Sequence, residues 1–561
     1  KDAADEGLHM THAENGREDV VDFVNNIQSK VNAQEGNSLP VSAFKDYVDG
    51  TTPSGSSAYE KRGIAVNIPV WQPENCIQCN RCAYVCPHAV IRPVALTEEE
   101  AANAPEGMTT LPMTGMKDYK FAITVSAYDC TGCGSCANVC PGKKGAKALA
   151  MENMEANAGV QKFFDYGVEL PVKEDVVAKF KETTVKGSQF KQPLLEFSGA
   201  CAGCGETPYA KLITQLFGDR MYIANATGCS SIWGNSSPST PYTVNAKGQG
   251  PAWSNSLFED NAEFGYGMLL AQKAIRDGLK EKVEDLVANA ENEDVKAAGQ
   301  EWLDTFSVGA TNGTATDKLV AALEACGCEK AQEILAQKDF LSKKSQWIFG
   351  GDGWAYDIGF GGVDHVLASG RDINVMVFDT EVYSNTGGQS SKSTPTGAIA
   401  QFAAGGKEVK KKDMASIAMS YGYVYVAQIS MGADFNQTVK AIAEAEAYPG
   451  PSLIIAYAPC INHGIKKGMS KAQTEEELAV KCGYWHNFRF NPAAENKFTL
   501  DSKAPNMDDY QAFLDGEVRY NSLKRQNPEK AERLFAKNEA EAKERYDYLN
   551  KLITLYGADA E

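Results

Sequence analysis

The chain of 561 residues has no apolar run of the roughly 20 residues that a membrane-spanning helix needs. No secretory leader is visible, and Lys1 in place of Met suggests a start that is cut or processed. The basic surplus that nucleic-acid binding requires is also missing, because 55 Lys and Arg face 73 Asp and Glu for a net charge of −18. We therefore expect a cytoplasmic protein of several domains with neither a membrane nor a nucleic acid as its partner.

Cysteine, in contrast, is plentiful: the chain has 15. Without a leader they fit a reducing compartment, where clustered cysteines usually bind metal or take part in catalysis. Eight lie in "CIQCNRCAYVCP" and "CTGCGSCANVCP", which share the spacing C-x2-C-x2-C-x3-C-P. In bacterial ferredoxins with two clusters, the fourth cysteine of such a run binds the other cluster. The sequence thus predicts one [4Fe–4S] cluster on Cys76, Cys79, Cys82 and Cys140, and a second on Cys130, Cys133, Cys136 and Cys86.

Two alternatives to these clusters fit less well. Zinc modules usually show two separated CxxC pairs rather than runs of four cysteines. Disulfides do not suit a chain without a secretory leader.

A third group of cysteines is suggested by where the chain alternates between strand and helix patterns. Apolar, β-branched runs such as "SQWIFGG", "INVMVFD", "YVYVAQIS" and "PSLIIAYAP" alternate with helical stretches, which indicates a parallel sheet with crossover helices. In such sheets ligands bind beyond the carboxyl ends of the strands. Cys229 and Cys460 each follow a strand, and Cys201 and Cys204 form a CxxC pair. A third cluster at one sheet edge is one interpretation, and four unrelated core cysteines are the other.

A diphosphate site is predicted by two motifs at the ends of successive apolar runs: the turn "GGDGWAYDIG" and the segment "FDTEVYSNTGGQ". Backbone N–H groups at a helix start bind phosphate, and Asp352 offers an oxygen to Mg²⁺. Thr380 and the carbonyl of Val382 can supply two more oxygens. The pattern is similar to the thiamine diphosphate (TPP) fingerprint, although that fingerprint usually ends in Asn rather than Thr. A glycine-rich turn without a ligand is the alternative.

Five further motifs accompany the two cysteine runs: "CAGCGETPY", "TGCSSIWG", "GDGWAYDIGFGG", "DTEVYSNTGGQ" and "YAPCINHG". Together, the runs and these motifs resemble the pyruvate:ferredoxin (flavodoxin) oxidoreductases. "GYWHNFRFNP" and "KFTLDSKAP" look like the same family. The resemblance is to the carboxyl-terminal portion of the single-chain enzyme. It implies an α/β fold with a TPP-binding parallel-sheet domain, helices on both faces, preceded by a two-cluster ferredoxin-like α+β module. The expected domains are 1–58 (tail of a preceding domain and linker), 59–174 (ferredoxin-like) and 175–561 (TPP-binding).

The resemblance also implies roles for individual positions. Cys201, Cys204, Cys229 and Cys460 would ligate a third [4Fe–4S] cluster next to TPP. Glu206 and Cys229 would touch the cofactor, and Asn385 would reach the substrate, so Glu206 and Asn385 are the expected catalytic residues. The diphosphate, Mg²⁺ and thiazolium surroundings would come from Gly351, Asp352, Gly353, Trp354, Thr380, Glu381, Val382, Tyr383, Ser384 and Asn385.

The activity implied is the oxidative decarboxylation of pyruvate to acetyl-CoA and CO₂, with electrons passing through TPP and three clusters to ferredoxin or flavodoxin. A branched-chain or aromatic 2-oxoacid is the alternative substrate. The family's pyrimidine-binding and CoA-binding domains precede the segment seen here. We therefore expect an upstream polypeptide as partner, a homodimer of the whole enzyme and no activity from this chain alone.

Two smaller features have open interpretations. Lys143, Lys144 and Lys147 in "PGKKGAKALA" form either a solvated face or a docking site for an acidic ferredoxin. "CGC" at Cys326 and Cys328 has the wrong spacing for a cluster, and it is interpreted as a pair of core or loop thiols.

Overall fold

The computed structural model describes residues 10–235 and 239–557. Its amino-terminal region contains the helices Glu18–Phe23, Val24–Gln28 and Ser29–Asn32 and the tight helical turns Gly36–Ser38, Val41–Tyr47 and Ser56–Tyr59. The end of the predicted tail and linker, residues 1–58, is packed against other residues, because Ser56 and Ser57 are buried. The Gly55 N–H donates to the carbonyl of Tyr242 at 2.7 Å. This region therefore lies against the larger domain.

The next region is a small α+β module. Its strands are β1 (Asn67–Trp71), β2 (Ile91–Leu96), β3 (Leu111–Pro112), β4 (Lys120–Val125) and β5 (Leu149–Asn153). β1 pairs with β5, and β4 pairs with β2 and β3, all antiparallel. The module's helices are Arg81–Tyr84, Glu98–Ala102, Ser135–Val139, Met154–Asn157 and Gln161–Glu169, followed by Glu174–Phe180 and Val185–Ser188. The first and third of these helices carry the third cysteine of each run.

The rest of the chain is built on an eight-stranded sheet. Its strands are β6 (Met221–Ala226), β7 (Ala252–Ser256), β8 (Ser345–Gly351), β9 (Ile373–Asp379), β10 (Tyr425–Ile429), β11 (Pro451–Tyr457), β12 (Phe488–Phe490) and β13 (Phe498–Leu500). The spatial order is β13-β12-β10-β11-β9-β8-β6-β7, and only the pairings of β12 are antiparallel. The predicted parallel sheet is confirmed, and β7, β12 and β13 extend it at its two sides.

Helices cover both faces of this sheet, as the sequence predicted. Side chains alternate along each strand, so Ile348 and Val375 face one core while Trp347 and Met376 face the other. The helices are Thr207–Phe217, Cys229–Asn235, Phe360–Ala368, Met414–Met419, Phe435–Ala447, Ala472–Lys481, Tyr510–Asp515, Val518–Gln526 and Pro528–Leu555, with a wide helical turn at Gly353–Ile358. Burial on both faces explains why the central strands read as continuous apolar runs.

Between β7 and β8 the chain inserts four helices, Asn261–Asn289, Glu293–Thr305, Gly309–Cys326 and Glu329–Leu335. They enclose a core of their own around Trp302, Leu319 and Leu323. None of the helices described in the structure is both long and apolar enough to cross a bilayer.

Candidate functional site

Four neighbouring strands bring the predicted site residues to one edge of the sheet. β11, β9, β8 and β6 are adjacent and parallel. Their carboxyl ends are followed by Cys460, Thr380, Asp352 and Cys229 respectively. Positions that are more than 200 residues apart in the chain therefore share one rim, because parallel strands end on the same side.

Three oxygen atoms meet at the centre of this edge. The hydroxyl of Thr380 donates to Asp352 Oδ1 at 3.1 Å and lies 3.0 Å from the carbonyl oxygen of Val382. Mg²⁺ binds oxygens at 2.0–2.1 Å in an octahedron, so that neighbouring ligands are about 2.9 Å apart. The type and spacing of these donors therefore fit Mg²⁺.

A second buried carboxylate, Asp379, lies close to Asp352 of this oxygen cluster. Asp352 and Asp379 are fully buried. Burial, and after it the negative charge of Asp379, raises the pKa of Asp352 well above its ordinary value. The hydroxyl of Ser391 donates to Asp352 Oδ2 at 2.6 Å and that of Ser393 to Asp379 Oδ1 at 2.6 Å. Such a pair needs cations beside it. Lys411 supplies one, at 2.8 Å from Asp379.

Ser391, Ser393 and Lys411 were not found from the sequence. Ser391 and Ser393 lie in the run of small hydroxyl residues "SSKST" that follows "SNTGGQ", and Lys411 lies further along the chain. Such runs are common in loops, so this one gave no reason to expect a buried network.

The loop from Thr380 to Asn385 is held in place by its side chains. Glu381 adopts a left-handed backbone conformation with φ of 60°. Its carboxylate pairs with Arg519 at 2.8 Å and with Lys411 at 3.0 Å. Burial alone would raise the pKa of Glu381, but the charges of Lys411 and Arg519, with smaller contributions that include the Tyr484 hydrogen bond, lower it to about 2. Because its side chain points into this network, only its backbone is free to face a cofactor.

The remaining residues of the two predicted motifs have different environments. Trp354 is buried, and Gly353 packs so closely on the ring of Tyr383 that an added Cβ would lie 2.4 Å from it. The hydroxyl of Tyr383 donates to Asp357 at 3.0 Å. Asn385 is exposed at the tip of the loop. Asn385 is therefore open to a substrate, whereas the binding of a diphosphate by Gly351 to Trp354 stays a prediction.

The third set of cysteines gathers beside this loop. The Gly205 N–H donates to the carbonyl of Pro459 at 3.1 Å, so the CxxC pair lies against the end of β11 and Cys460. Burial raises the pKa of Cys229, Cys204 and Cys460. The thiols are also close enough to raise one another's pKa: Cys204 and Cys460 raise that of Cys229, and Cys201 raises that of Cys460. These four cysteines are called the edge group below.

Two contacts connect the edge group to the oxygen cluster. The sulfur of Cys229 lies 3.2 Å from the hydroxyl of Ser384. His463 Nε2 lies 2.7 Å from the carbonyl oxygen of Thr380, and His463 Nδ1 accepts a hydrogen bond from the Cys460 N–H at 3.4 Å. Burial lowers the pKa of His463 to about 3, so this residue is neutral and holds the backbone in place.

Glu206 lies between the edge group and the sheet. It is buried and accepts a hydrogen bond from the Trp233 indole at 2.8 Å. Burial raises its pKa to about 7. Its charge reaches Cys204, Cys229 and Cys460. A carboxyl group with this pKa can gain or lose a proton near neutral pH, which suits a catalytic residue.

The cysteines of the ferredoxin-like module fall into the two crossed groups that the spacing predicts. Burial, then neighbouring thiols including Cys140, raises the pKa of Cys76 and Cys82. Cys86 acts in the same way on Cys130, Cys133 and Cys136, and these four line one cavity. The two sets are called the Cys76 group (Cys76, Cys79, Cys82, Cys140) and the Cys130 group (Cys130, Cys133, Cys136, Cys86).

The three groups are arranged in a row. Cys133 of the Cys130 group lies beside the backbone of Gly203, inside the CxxC loop of the edge group. Cys136 of the same group lies near Cys82 of the Cys76 group. The Cys130 group is therefore in the middle, and the Cys76 group is at the far end from the oxygen cluster.

One buried lysine joins the module to the sheet domain. Lys211 is on the helix that follows the CxxC loop, and it donates to the carbonyls of Ala83 and Tyr84, the latter at 3.0 Å. The Tyr84 hydroxyl in turn donates to the carbonyl of Phe435 at 3.0 Å. Burial lowers the pKa of Lys211 to about 8, against the effect of nearby Cys86 and Cys82.

Among the described residues, no three His, Cys, Asp or Glu side chains converge tightly enough for a single metal ion. This finding fits the donor sets above. Each thiolate of a four-iron cluster binds its own iron, and the oxygen cluster contains only one carboxylate.

Three family models match parts of the chain. Residues 75–144 match a 4Fe-4S dicluster domain. Residues 305–456 match the thiamine pyrophosphate enzyme, C-terminal TPP binding domain. Residues 11–65 match a domain of unknown function named EKR. The dicluster model covers both crossed cysteine groups, and the TPP-binding model covers the oxygen cluster.

Curated relatives match nearly the whole chain. Pyruvate-flavodoxin oxidoreductase of Enterobacter agglomerans is 57% identical over 547 residues, covering 95% of this chain and 46% of the relative. Pyruvate:ferredoxin oxidoreductase of Moorella thermoacetica is 56% identical over 545 residues, with the same shares. Pyruvate dehydrogenase [NADP(+)] of Cryptosporidium parvum is 46% identical over 588 residues, covering 95% of this chain and 30% of the relative. Over nearly its whole length the chain is therefore similar to a portion of pyruvate-flavodoxin and pyruvate:ferredoxin oxidoreductases, and it spans about half the length of the Enterobacter and Moorella relatives.

Proposed function

We propose that this chain carries the TPP site and the electron path of a pyruvate:ferredoxin or flavodoxin oxidoreductase. The reaction converts pyruvate and coenzyme A to acetyl-CoA, CO₂ and a proton, and it reduces two one-electron carriers. The observation that carries the proposal is the 3.2 Å contact between Cys229 and Ser384, which joins a set of four thiols to the loop of the oxygen cluster. A two-electron oxidation next to one-electron acceptors needs this proximity.

TPP supplies a carbanion and an electron sink when it is bound. Asp352, Thr380 and the Val382 carbonyl would hold Mg²⁺, and backbone N–H groups at Gly351 to Trp354 would bind the diphosphate. Glu206 would hold a proton beside the cofactor, and Asn385 would position the substrate. Ser391 and Lys411 would orient the carboxylates of the site.

Each set of four cysteines would ligate a [4Fe–4S] cluster, which gives three. Electrons would leave the sheet edge through the edge group, pass the Cys130 group and reach the Cys76 group. The acceptor would dock near that last group, where Lys143, Lys144 and Lys147 are exposed. Lys147 donates to the carbonyl of Cys140 at 2.7 Å, which places this basic patch beside the Cys76 group. An acidic ferredoxin or flavodoxin fits such a patch.

The remaining half of the enzyme would come from a polypeptide that supplies the pyrimidine-binding and coenzyme A-binding domains. The whole enzyme would be a cytoplasmic homodimer, and this chain alone would be inactive. Pyruvate is the proposed substrate because both of the most similar relatives described above are named for it. A branched-chain or aromatic 2-oxoacid is the second candidate.

The proposal is tested on the whole enzyme, purified without oxygen. We expect pyruvate- and CoA-dependent reduction of ferredoxin or flavodoxin, iron equivalent to three four-iron clusters per chain, and bound TPP with Mg²⁺. Activity with a branched-chain acid but not pyruvate would move the assignment to the second candidate. Absence of TPP from an enzyme with full iron content would overturn the catalytic role.

Asp352→Asn isolates the magnesium site. Because the variant removes the only carboxylate among the three oxygen ligands, we expect TPP content to fall to near zero and turnover to fall at least ~100-fold, while the iron content stays unchanged. Asp372→Asn, in a partly exposed ion pair with Lys343 just before the start of β9, is the matched control and should behave as wild type. Normal TPP retention by Asp352→Asn would contradict the proposed ligand set.

A further inference from the structure

The "CGC" pair lies in the four-helix insertion between β7 and β8. Cys326 is the last residue of the helix Gly309–Cys326, and Cys328 directly precedes the helix Glu329–Leu335. Gly327 forms the corner between them with φ of 61°, in the left-handed region that favours glycine. An added Cβ on Gly327 would meet nothing within 4 Å, so the corner is open to solvent.

The two thiols face each other at this corner. The Cys326 thiol donates to the sulfur of Cys328, and the sulfurs are 2.9 Å apart. Cys328 is exposed and Cys326 is partly exposed. The other cysteine outside the three groups, Cys482, is buried. Only this pair therefore combines close contact between its sulfurs with a position outside the proposed cluster groups.

The surroundings make the two sulfurs chemically different. The hydrogen bond from Cys326 is the main cause that lowers the pKa of Cys328, and the backbone N–H of Ala331 and the charge of Lys330 contribute. The same hydrogen bond raises the pKa of Cys326. A more acidic, exposed thiol in contact with a less acidic one is the arrangement of an attacking and a resolving cysteine.

We propose that Cys326-Gly327-Cys328 is a redox-active dithiol that exchanges with low-molecular-weight disulfides. The Cys328 thiolate attacks the small disulfide, forms a mixed disulfide and releases one small thiol. Cys326, after losing its proton, attacks the sulfur of Cys328 and releases the second small thiol. The pair is oxidised by two electrons with loss of two protons, and the small disulfide is reduced to two thiols.

The consequence is a reversible lock between two helices of the insertion. A disulfide here closes a ring across one residue and lies in solvent, and exposed or strained disulfides are the ones that thiols reduce readily. The pair therefore senses the ratio of small disulfide to thiol. This role is independent of the proposed oxidoreductase activity, since neither sulfur belongs to the sheet edge or the cluster groups.

The test uses the whole enzyme, kept without oxygen and equilibrated with glutathione buffers of increasing oxidised fraction. Free thiols are then alkylated, and the mass of the tryptic peptide of residues 319–330, which contains both cysteines, is measured by mass spectrometry. We expect an unalkylated disulfide peptide, two hydrogens lighter than the free dithiol peptide, to replace the doubly alkylated peptide in one two-electron transition, and dithiothreitol to reverse it. Two alkylated cysteines at every ratio would overturn the proposal.

Two variants assign the order of attack. Cys326→Ser should trap a mixed disulfide with glutathione on Cys328. Cys328→Ser should react with oxidised glutathione at least ~10-fold more slowly, because the remaining thiol is less exposed and lies away from the Ala331 N–H and the Lys330 charge that favour a thiolate at Cys328. Equal rates in both variants would contradict the assignment of Cys328 as the attacking residue. Cys482→Ser is the control and should leave the transition unchanged.

Discussion

The ferredoxin-like module and the sheet edge assemble their cysteine groups in opposite ways. The module takes all eight of its cysteines from residues 76–140, in two short runs whose local turns position the sulfurs. The edge group takes its cysteines from positions 201 to 460. The pairing of β6, β8, β9 and β11 brings Cys229 and Cys460 to one edge, and the hydrogen bond from Gly205 to Pro459 adds the CxxC pair. A cysteine group positioned by local turns needs only a small folded unit, whereas one assembled at strand ends needs the whole sheet.

The largest effect on iron content and turnover is expected when one cysteine is replaced in each region. Cys460→Ser should remove one cluster and leave the spectra of the other two unchanged, and turnover should fall at least ~100-fold because the electron path loses its first step. Cys140→Ser should instead disturb the clusters of the module and leave TPP binding intact. Iron analysis and electron paramagnetic resonance distinguish the outcomes. Full iron content in Cys460→Ser would remove that residue from the ligand set.

A smaller change tests the close approach that forms the edge group without removing any sulfur. A Cβ at Gly205 would lie 2.6 Å from the backbone nitrogen of Pro459, so Gly205→Ala must push the CxxC loop away from Cys460. We expect partial loss of the edge cluster and normal clusters in the module. Gly199→Ala, where an added Cβ meets nothing within 4 Å, is the matched control. Equal iron content in both variants would show that the loop tolerates displacement.

The smallest effect concerns the contact between the two regions. Lys211 places a buried cation near Cys82 and Cys86, and removing a positive charge makes reduction of a nearby cluster harder. Lys211→Met should therefore shift the potentials of the module's clusters to more negative values by tens of millivolts, where about 59 mV is a factor of ten for one electron. Lys211→Arg, which keeps the charge, should shift them far less in a potentiometric titration. Equal shifts in the two variants would assign Lys211 a packing role only.

The sequence was informative wherever a motif and a strand end coincide. Cys229, Asp352, Thr380 and Cys460 each follow an apolar run, and the parallel arrangement predicted from those runs is observed. The sequence was uninformative where a contact depends on packing between distant elements. Lys211 and Arg519 occur in ordinary amphipathic helices, and nothing in those helices indicates that their charges are buried against Ala83 or Glu381.

The sequence by itself determined the types of candidate ligand and their local spacing: two ferredoxin-like runs, a CxxC pair, and a GDG turn followed by Thr380. It also determined the alternation of strand and helix that forms a parallel sheet. Only the tertiary structure decided which strands are neighbours, and hence that Cys460, Thr380, Asp352 and Cys229 share one rim. It also decided which cysteine group lies between the other two. The physical reason is that motifs are fixed by short-range backbone geometry, whereas strand order and domain docking are fixed by burial of apolar faces that residues far apart in the chain share.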